Sequence, residues 1–444
     1  ERSSFLGEFD RLRAASCSFE AVGDALTVNA TDYGQMGFVT VGFDGHITNA
    51  RELIGKLKKF TKRPGVYLSN ALLVTLAYIE LQENCIQHII GDFSLFILDH
   101  LSRKVICASD YAGLRSVYYE LQPDSFSFSS SLTQLIRSGR RSRKPNPAKV
   151  ADFLTDSHVL EDQTLYEGIF KLPPGKILVV HPRKATIAGY WKPDASPFRV
   201  EDQKELIDQF RELFAVAVNR STASKTGILL SGGIDSSSIA AMARRIGFMG
   251  WKADDSLHAY TLSFPNLECD ESGFVRLMKK QSGLEVTSLP GDISLLHTSE
   301  QIANTLYFPS PPNGVAFDEL KSTSTADGNK VLLTGVGGDE WLGGDESSWI
   351  KKLRRAVALT MPRRAHPGRW PQLNSEFVRS SGFCDQFNSQ APLYRDNQRI
   401  ENILKFALSG WQLQRLELER LRDEFNGYVV RHPLYDRRIA EFAL

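Results

Sequence analysis

Two rhythms of apolar residues divide the chain. Up to Trp191 they come in short β-branched or aromatic runs, at residues 39–43, 95–98, 104–108, 116–120 and 176–181. Such runs predict strands, and Asp44-Gly45 and Pro173-Pro174-Gly175 predict turns that bound them. One stretch of helical spacing, residues 71–81, intervenes. From about residue 200 the rhythm changes. Helices are predicted at 201–219, 236–246 and 273–280, and strands at 227–230, 257–264 and 330–334. Strands alternating with helices predict a parallel α/β sheet covered on both faces. Residues 411–425 read as a core-packing helix, with a substrate wall as the alternative. Residues 192–198 (Lys-Pro-Asp-Ala-Ser-Pro-Phe) have linker composition, which places the expected domains at 1–195 and 196–444.

The 444 residues suffice for two or three domains, and 42% hydrophobic with 24% charged residues is the balance of a globular chain. Fifty-three basic against 52 acidic residues leave a net charge of +1, which argues against a nucleic-acid partner. The five cysteines are odd in number and form no C-x-x-C pair, so neither a disulfide framework nor a structural zinc is expected. That usage fits a reducing, cytoplasmic setting. No apolar run approaches the ~20 residues of a membrane span, and no signal-peptide pattern opens the chain. It starts on Glu1 without a methionine and ends on an apolar stretch, so continuation beyond both ends is expected.

The chemistry concentrates in Leu229-Leu230-Ser231-Gly232-Gly233-Ile234-Asp235-Ser236, a strand, a glycine turn and a helix start. Glycines let backbone N–H groups approach a ligand closely, and a helix N-terminus favours an anion. Ser231 and Ser236 add hydroxyl donors. Asp235 would repel phosphate unless a cation stood between them, which points to Mg²⁺. The G-K-[ST] ending of a Walker A loop is absent. Read alone, the hexapeptide could be a Ser/Gly turn capping a helix. A second strand, however, also runs into glycines and acids: Thr334-Gly335-Val336-Gly337-Gly338-Asp339-Glu340. Alone, that run reads equally as a surface turn. At the carboxyl ends of strands in one α/β sheet, the two could hold one metal–nucleotide between them.

These motifs resemble the asparagine-synthetase family over nearly the whole chain. Ser231–Ser236 is similar to its pyrophosphate loop, residues 334–340 to its second ATP/Mg²⁺ motif, and Arg431-His432-Pro433-Leu434-Tyr435-Asp436 to its R-x-P-[FL]-x-D segment. The resemblance implies ATP and Mg²⁺ as cofactors. Ser231, Gly232, Gly233, Asp235 and Ser236 would take pyrophosphate, and Asp235 and Asp339 the metal. Leu229 and Leu262 would line an adenine pocket, with Thr334 and Gly335 beside the ribose or α-phosphate. Asp270-Glu271 matches a family acidic pair and reads equally as a solvated helix start. In the first half, residues 43–49, 91–95, 109–115 and Tyr190-Trp191 resemble the family's glutaminase domain. The implied fold class is α/β: an Ntn-type glutaminase-like αββα sandwich, then an adenine-nucleotide alpha-hydrolase-like pyrophosphate-loop domain.

The chain departs from the family at its opening. Residues 3–10 align with the C-G-I-x-G-x-F-D start, with Ser3 where the catalytic cysteine belongs, and Cys17 lies too far in to replace it. A serine hydroxyl is far less ionised than a thiol near neutral pH, so glutamine hydrolysis is not expected. Relatives lacking that cysteine act on substrates carrying their own amine: β-lactam synthetases and lasso-peptide cyclases. The former place a tyrosine where this chain has Val336, and Gly337-Gly338-Asp339 resembles the latter. The favoured expectation is a macrolactam cyclase that adenylates an Asp or Glu side chain and joins it to the peptide's N-terminal amine. Its partners would be a precursor peptide, a leader-peptide-binding protein and a leader protease, with no nucleic acid and no membrane. The basic residues between 351 and 369 read as a solvated surface, with docking of an acidic precursor as the alternative. An asparagine synthetase using ammonia, β-lactam-type ring closure, a non-catalytic nucleotide-binding protein and an enzyme acting on tRNA are the rivals.

Overall fold

The computed structural model describes residues 31–36, 38–57, 68–122, 125–138, 144–182, 184–194, 196–198, 202–248, 257–291, 314–343, 370, 373–390, 404 and 407–444. The opening segment with Ser3 and Cys17, and the basic run 351–369, lie outside the described residues. The chain divides into two compact units. One takes the described parts of Glu1–Lys192 and Gly344–Glu417, the other those of Pro193–Gly343 and Leu418–Leu444.

The first unit holds strands β1 (Thr31–Met36), β2 (Val39–Ile47), β3 (Gly91–Asp99), β4 (Lys104–Ser109), β5 (Tyr118–Leu121), β6 (Phe126–Ser129), β7 (Phe170–Lys171), β8 (Lys176–His181) and β9 (Lys184–Gly189). Six form an antiparallel sheet in the order β1-β2-β3-β4-β8-β9, and β6-β5-β7 form a smaller one. Side chains alternate along the central strands. Phe93, Leu95, Ile97, Ile106 and Ala108 join a core with Leu73, Val74 and Tyr78 of the helix Asn70–Leu81. Phe96, Leu98, Val105 and Cys107 point the other way, onto Tyr119, Phe126 and Phe128 of the small sheet. With both faces buried, a one-residue slip would exchange the two cores, so the register is strongly specified.

The turn expected at Asp44-Gly45 is not one: β2 runs through it to Ile47, paired with Gly91. The pairing with β3 overrides the local turn signal, and Gly45, at φ +136, lies so close to the Asp92 carbonyl that no side chain would fit. Below this pair a buried carboxylate organises the β4–β5 connection. Asp110 accepts N–H bonds from Phe93 (3.3 Å), Ala112 (3.0 Å), Leu114 (3.1 Å) and Arg115 (2.8 Å). The Arg115 guanidinium in turn bonds Asp44 at 3.1 Å and Asp92 at 3.3 Å. Burial pushes the Asp110 carboxyl up to about 7 against the pull of its backbone donors. Elsewhere in this unit, Val378, Phe383 and Phe387 pack with Ala148 and Ala151 of the helix Pro147–Leu154. Glu417, fully buried, is neutralised by Lys171 at 2.8 Å.

The second unit is a parallel sheet of β10 (Thr226–Leu229), β11 (His258–Ser263), β12 (Glu285–Pro290), β13 (Val331–Leu333) and β14 (Val430–Arg431), in the order β12-β11-β10-β13-β14. Ile228, Leu230, Val331 and Leu333 face the helices Gln203–Ser221 and Ile234–Phe248 through Phe214, Ala217, Ile239 and Ala243. Tyr260 and Leu332 face Leu320 of the helix Gly314–Ala326, with Leu229 and Leu262 half-buried on that same side. The chain winds outward from β10 to β12 on one side and restarts at β13 on the other. The strand order therefore reverses between β10 and β13, where an open α/β sheet leaves a crevice beyond its carboxyl ends.

Because the folded Asp110 carboxyl titrates near 7 and the unfolded one near the ordinary 3.8, its stabilising contribution is whole below 3.8 and is lost as pH rises through 7. Urea unfolding of the first unit should show that loss, and Asp110→Asn should abolish it. The variant should also cost about 1–3 kcal/mol, since an amide NH₂ would meet backbone donors. The same pH profile in wild type and variant would contradict the assignment.

Candidate functional site

The two loops at the reversal are the two motifs. After β10, Ser231 leads into Gly232-Gly233 and the helix Ile234–Phe248. Ser236 Oγ, buried inside the turn, accepts the Ser231 N–H at 3.1 Å and lies 3.0 Å from Ser231 Oγ. Ser231 Oγ accepts the Gly233 N–H at 3.2 Å. The hydroxyls thus brace the loop from within, and the helix start turns its positive end to the crevice. Gly232 takes φ +99 and its α-carbon lies against Glu271, where a side chain would stand 2.9 Å from the Glu271 Cβ. Asp270, of the same acidic pair, is used locally. It accepts the Phe264 N–H at 3.0 Å and the Ser272 hydroxyl at 2.6 Å, which hold its carboxyl below the ordinary range.

After β13 the second loop carries Thr334, Gly335, Val336, Gly337 and a short helical turn, Gly338–Leu342. Thr334 is buried, and its N–H donates to Arg431 O at 3.1 Å. Glu340 is buried and folds back to accept the Gly337 N–H at 2.8 Å. The loops meet directly. A side chain on Gly338 would overlap the Asp235 carboxylate, and Gly335 backs onto Asp235 and the Ser236 amide. Trp341 lies buried with its ring edge-on to Tyr435, centroids 5.8 Å apart, so the Arg431–Asp436 segment walls the same loop.

Three carboxylates therefore share one place: Asp235, half-buried, Asp339, exposed, and Glu340. Burial, then the charges of Asp339 and Glu340, hold the Asp235 carboxyl above its ordinary value. This crowding is what a divalent cation relieves, and it fits Mg²⁺ held by Asp235 and Asp339. Among the described residues no group of three or more His, Cys, Asp or Glu side chains could hold a metal by itself. A Mg²⁺ there would need ligands beyond these two side chains, and Mg²⁺ usually keeps several waters.

Of the residues singled out in the sequence, Ser231, Gly232, Gly233, Asp235, Ser236, Thr334, Gly335 and Asp339 come together on these two loops. Leu229 and Leu262 lie on the opposite face of the sheet from Ile228 and Leu230, grouped with Leu289 and Val430. Two motif residues, Glu340 and His432, hold positions that the sequence pattern alone does not assign. Glu340 caps the second loop, and its signal was an acid three residues after a glycine turn. His432 Nδ1 lies 2.6 Å from Thr334 Oγ1.

Residues 209–444 match the family model described as asparagine synthase, and residues 32–191 that of a glutamine amidotransferase domain. The chain is 26% identical over 330 residues to Amidase chry2 of Gibberella zeae, covering 70% of this chain and 47% of that protein. It is 26% identical over 322 residues to Amidase chyE of Penicillium rubens, covering 69% and 46%. It is 24% identical over 247 residues to putative glutamine-hydrolyzing asparagine synthetase 2 of Methanocaldococcus jannaschii, covering 54% and 46%. The chain thus spans about half the length of these relatives.

In metal-free buffer, Asp235→Asn should melt higher than the wild type by about 1–3 °C. The gap should widen as pH rises from the ordinary carboxylate range toward neutrality, because only the wild type then gains the repelled charge. Identical melting curves across that range would count against the carboxylate crowding.

Proposed function

The chain belongs to the asparagine synthase family, and from that premise we propose that it is an ATP-dependent, AMP-forming carbon–nitrogen ligase. The observation that supports this most is the seating of Asp235 against Gly338, which leaves two acidic loops facing each other at the reversal of strand order. In the first step a substrate carboxylate oxygen attacks the α-phosphorus of ATP, forming an acyl-adenylate and releasing pyrophosphate. The Ser231–Ser236 loop, braced from within by its two hydroxyls, presents its remaining backbone N–H groups and the helix start to the departing pyrophosphate. Mg²⁺ held by Asp235 and Asp339 would supply charge neutralisation to the phosphates. In the second step an amine attacks the acyl carbon; the amide forms, AMP leaves, and a proton is released. Leu229 and Leu262 would line the adenine pocket, with Thr334 and Gly335 beside the sugar or α-phosphate.

The finer reading is a lasso-type macrolactam cyclase. The activated acid is an Asp or Glu side chain of a precursor peptide, and the amine is that peptide's N-terminus. Ser3 in place of a catalytic cysteine supports a substrate that carries its own amine. Val336, which cannot move a proton, argues against the small-ring chemistry that uses a tyrosine there. Holding amine and acyl carbon together would supply most of the acceleration of the second step. A leader-peptide-binding protein and a leader protease would work alongside. The second reading is asparagine formation from aspartate and ammonium; its asparagine-forming part is supported by the likeness to the Methanocaldococcus relative, which is itself described as glutamine-hydrolyzing.

Incubation with ATP, Mg²⁺ and linear candidate peptides, followed by mass spectrometry, separates these readings. The cyclase predicts loss of one water with stoichiometric AMP. Product formed only from aspartate and ammonium would overturn it. Asp235→Ala and Asp339→Ala should each lower pyrophosphate release by at least ~100-fold without loss of helical circular dichroism. Near-normal rates would remove both from the metal site.

A further inference from the structure

One short hydrogen bond in the site is not used by the chemistry above. His432 follows β14, which pairs in parallel with β13, so the two strand ends lie side by side. Its Nδ1 stands 2.6 Å from Thr334 Oγ1. The same hydroxyl oxygen accepts the Val336 N–H at 3.3 Å. A threonine hydroxyl has one proton and two lone pairs. Giving the proton to Nδ1 fixes the rotor and keeps a lone pair aimed at the Val336 amide, closing a small side-chain turn at the head of the second loop. The imidazole then carries its own proton on Nε2. The next amide along, Gly337, is held by Glu340, so two successive side-chain ties fix the backbone that presents Asp339.

We propose that His432 is a positioning residue: through Thr334 it holds the second acidic loop in the geometry that sets Asp339 opposite Asp235. The assignment of nucleotide and metal to these loops rests on the ligase reading; the positioning itself rests on the hydrogen bonds alone. His432 touches neither phosphate nor metal in this role. Its ring also stands edge-on to Tyr435, centroids 6.4 Å apart, and that packing is separable from the hydrogen bond.

Four variants separate them: His432→Leu, His432→Asn, Thr334→Val and the double variant His432→Leu/Thr334→Val. Both His432 variants lose the ring packing, but the asparagine side chain keeps an acceptor where Nδ1 was. Hydrogen–deuterium exchange across residues 334–340 of the full chain should quicken about tenfold in His432→Leu, the worth of one hydrogen bond. It should return to within about threefold of wild type in His432→Asn. Thr334→Val should match His432→Leu, and the double variant should be no faster than either single one. The Mg²⁺ concentration giving half-maximal pyrophosphate release should rise about tenfold in the leucine variant and be rescued by asparagine. An asparagine variant as impaired as the leucine variant, or unchanged exchange in His432→Leu, overturns the proposal. The expected exchange pattern in a chain that releases no pyrophosphate would support the positioning role and overturn the ligase reading instead.

Discussion

Like-charge repulsion is the constraint around which the second unit is arranged. Asp235, Asp339 and Glu340 come from two loops that leave adjacent parallel strands, and the Asp235 carboxyl is held above its ordinary value by burial and by the charges of the other two. A fold has no reason of stability to converge carboxylates at a strand-order reversal. The surrounding structure holds them there at a cost. Ser236 braces one loop from inside, Glu340 caps the other, and Gly338 allows the two backbones to touch. Under the proposed function, such an arrangement would gain its purpose when a divalent cation and an anionic ligand enter together.

The rest of the unit supplies rigidity to that point. The strand ends at Leu229 and Leu333 are fixed by cores on both faces of the sheet, so the loops begin from positions that cannot drift. The Arg431–Asp436 segment closes the site from the far edge, with β14 alongside β13 and Tyr435 against Trp341. In the first unit the same logic serves a different end. Asp110 spends its carboxylate on four backbone amides and Arg115 bridges Asp44 and Asp92, so these acids are occupied with holding the sheet's connections.

Strands β2, β3 and β4 were legible because they are buried on both faces and carry apolar runs, and β8 because Ile177–Val180 is a continuous apolar run although only Leu178 is buried. β12 was not: Glu285–Pro290 mixes Glu, Thr and Ser with its apolar residues and is largely exposed at the sheet edge. The helix Gly314–Ala326 was missed because its Ser-Thr-Ser-Thr run carries poor helix propensity, overridden by Leu320 packing on the sheet. The two-residue strands β7 and β14 exist only through their partners. In the site, the two glycine–aspartate loops were readable because each is local. The Glu340 cap was within reach of a capping pattern, whereas the Thr334–His432 contact joins residues 98 apart and leaves no local trace.

The most direct test of the central claim is a crystal structure of the protein with a non-hydrolysable ATP analogue and Mn²⁺ in place of Mg²⁺, the metal located by its anomalous signal. If Asp235 and Asp339 hold the cation, the Mn²⁺ peak should lie within ligand distance of both carboxylates, with the β- and γ-phosphates at the Ser231–Ser236 loop. A metal peak away from both aspartates, or a nucleotide bound elsewhere on the chain, would contradict it.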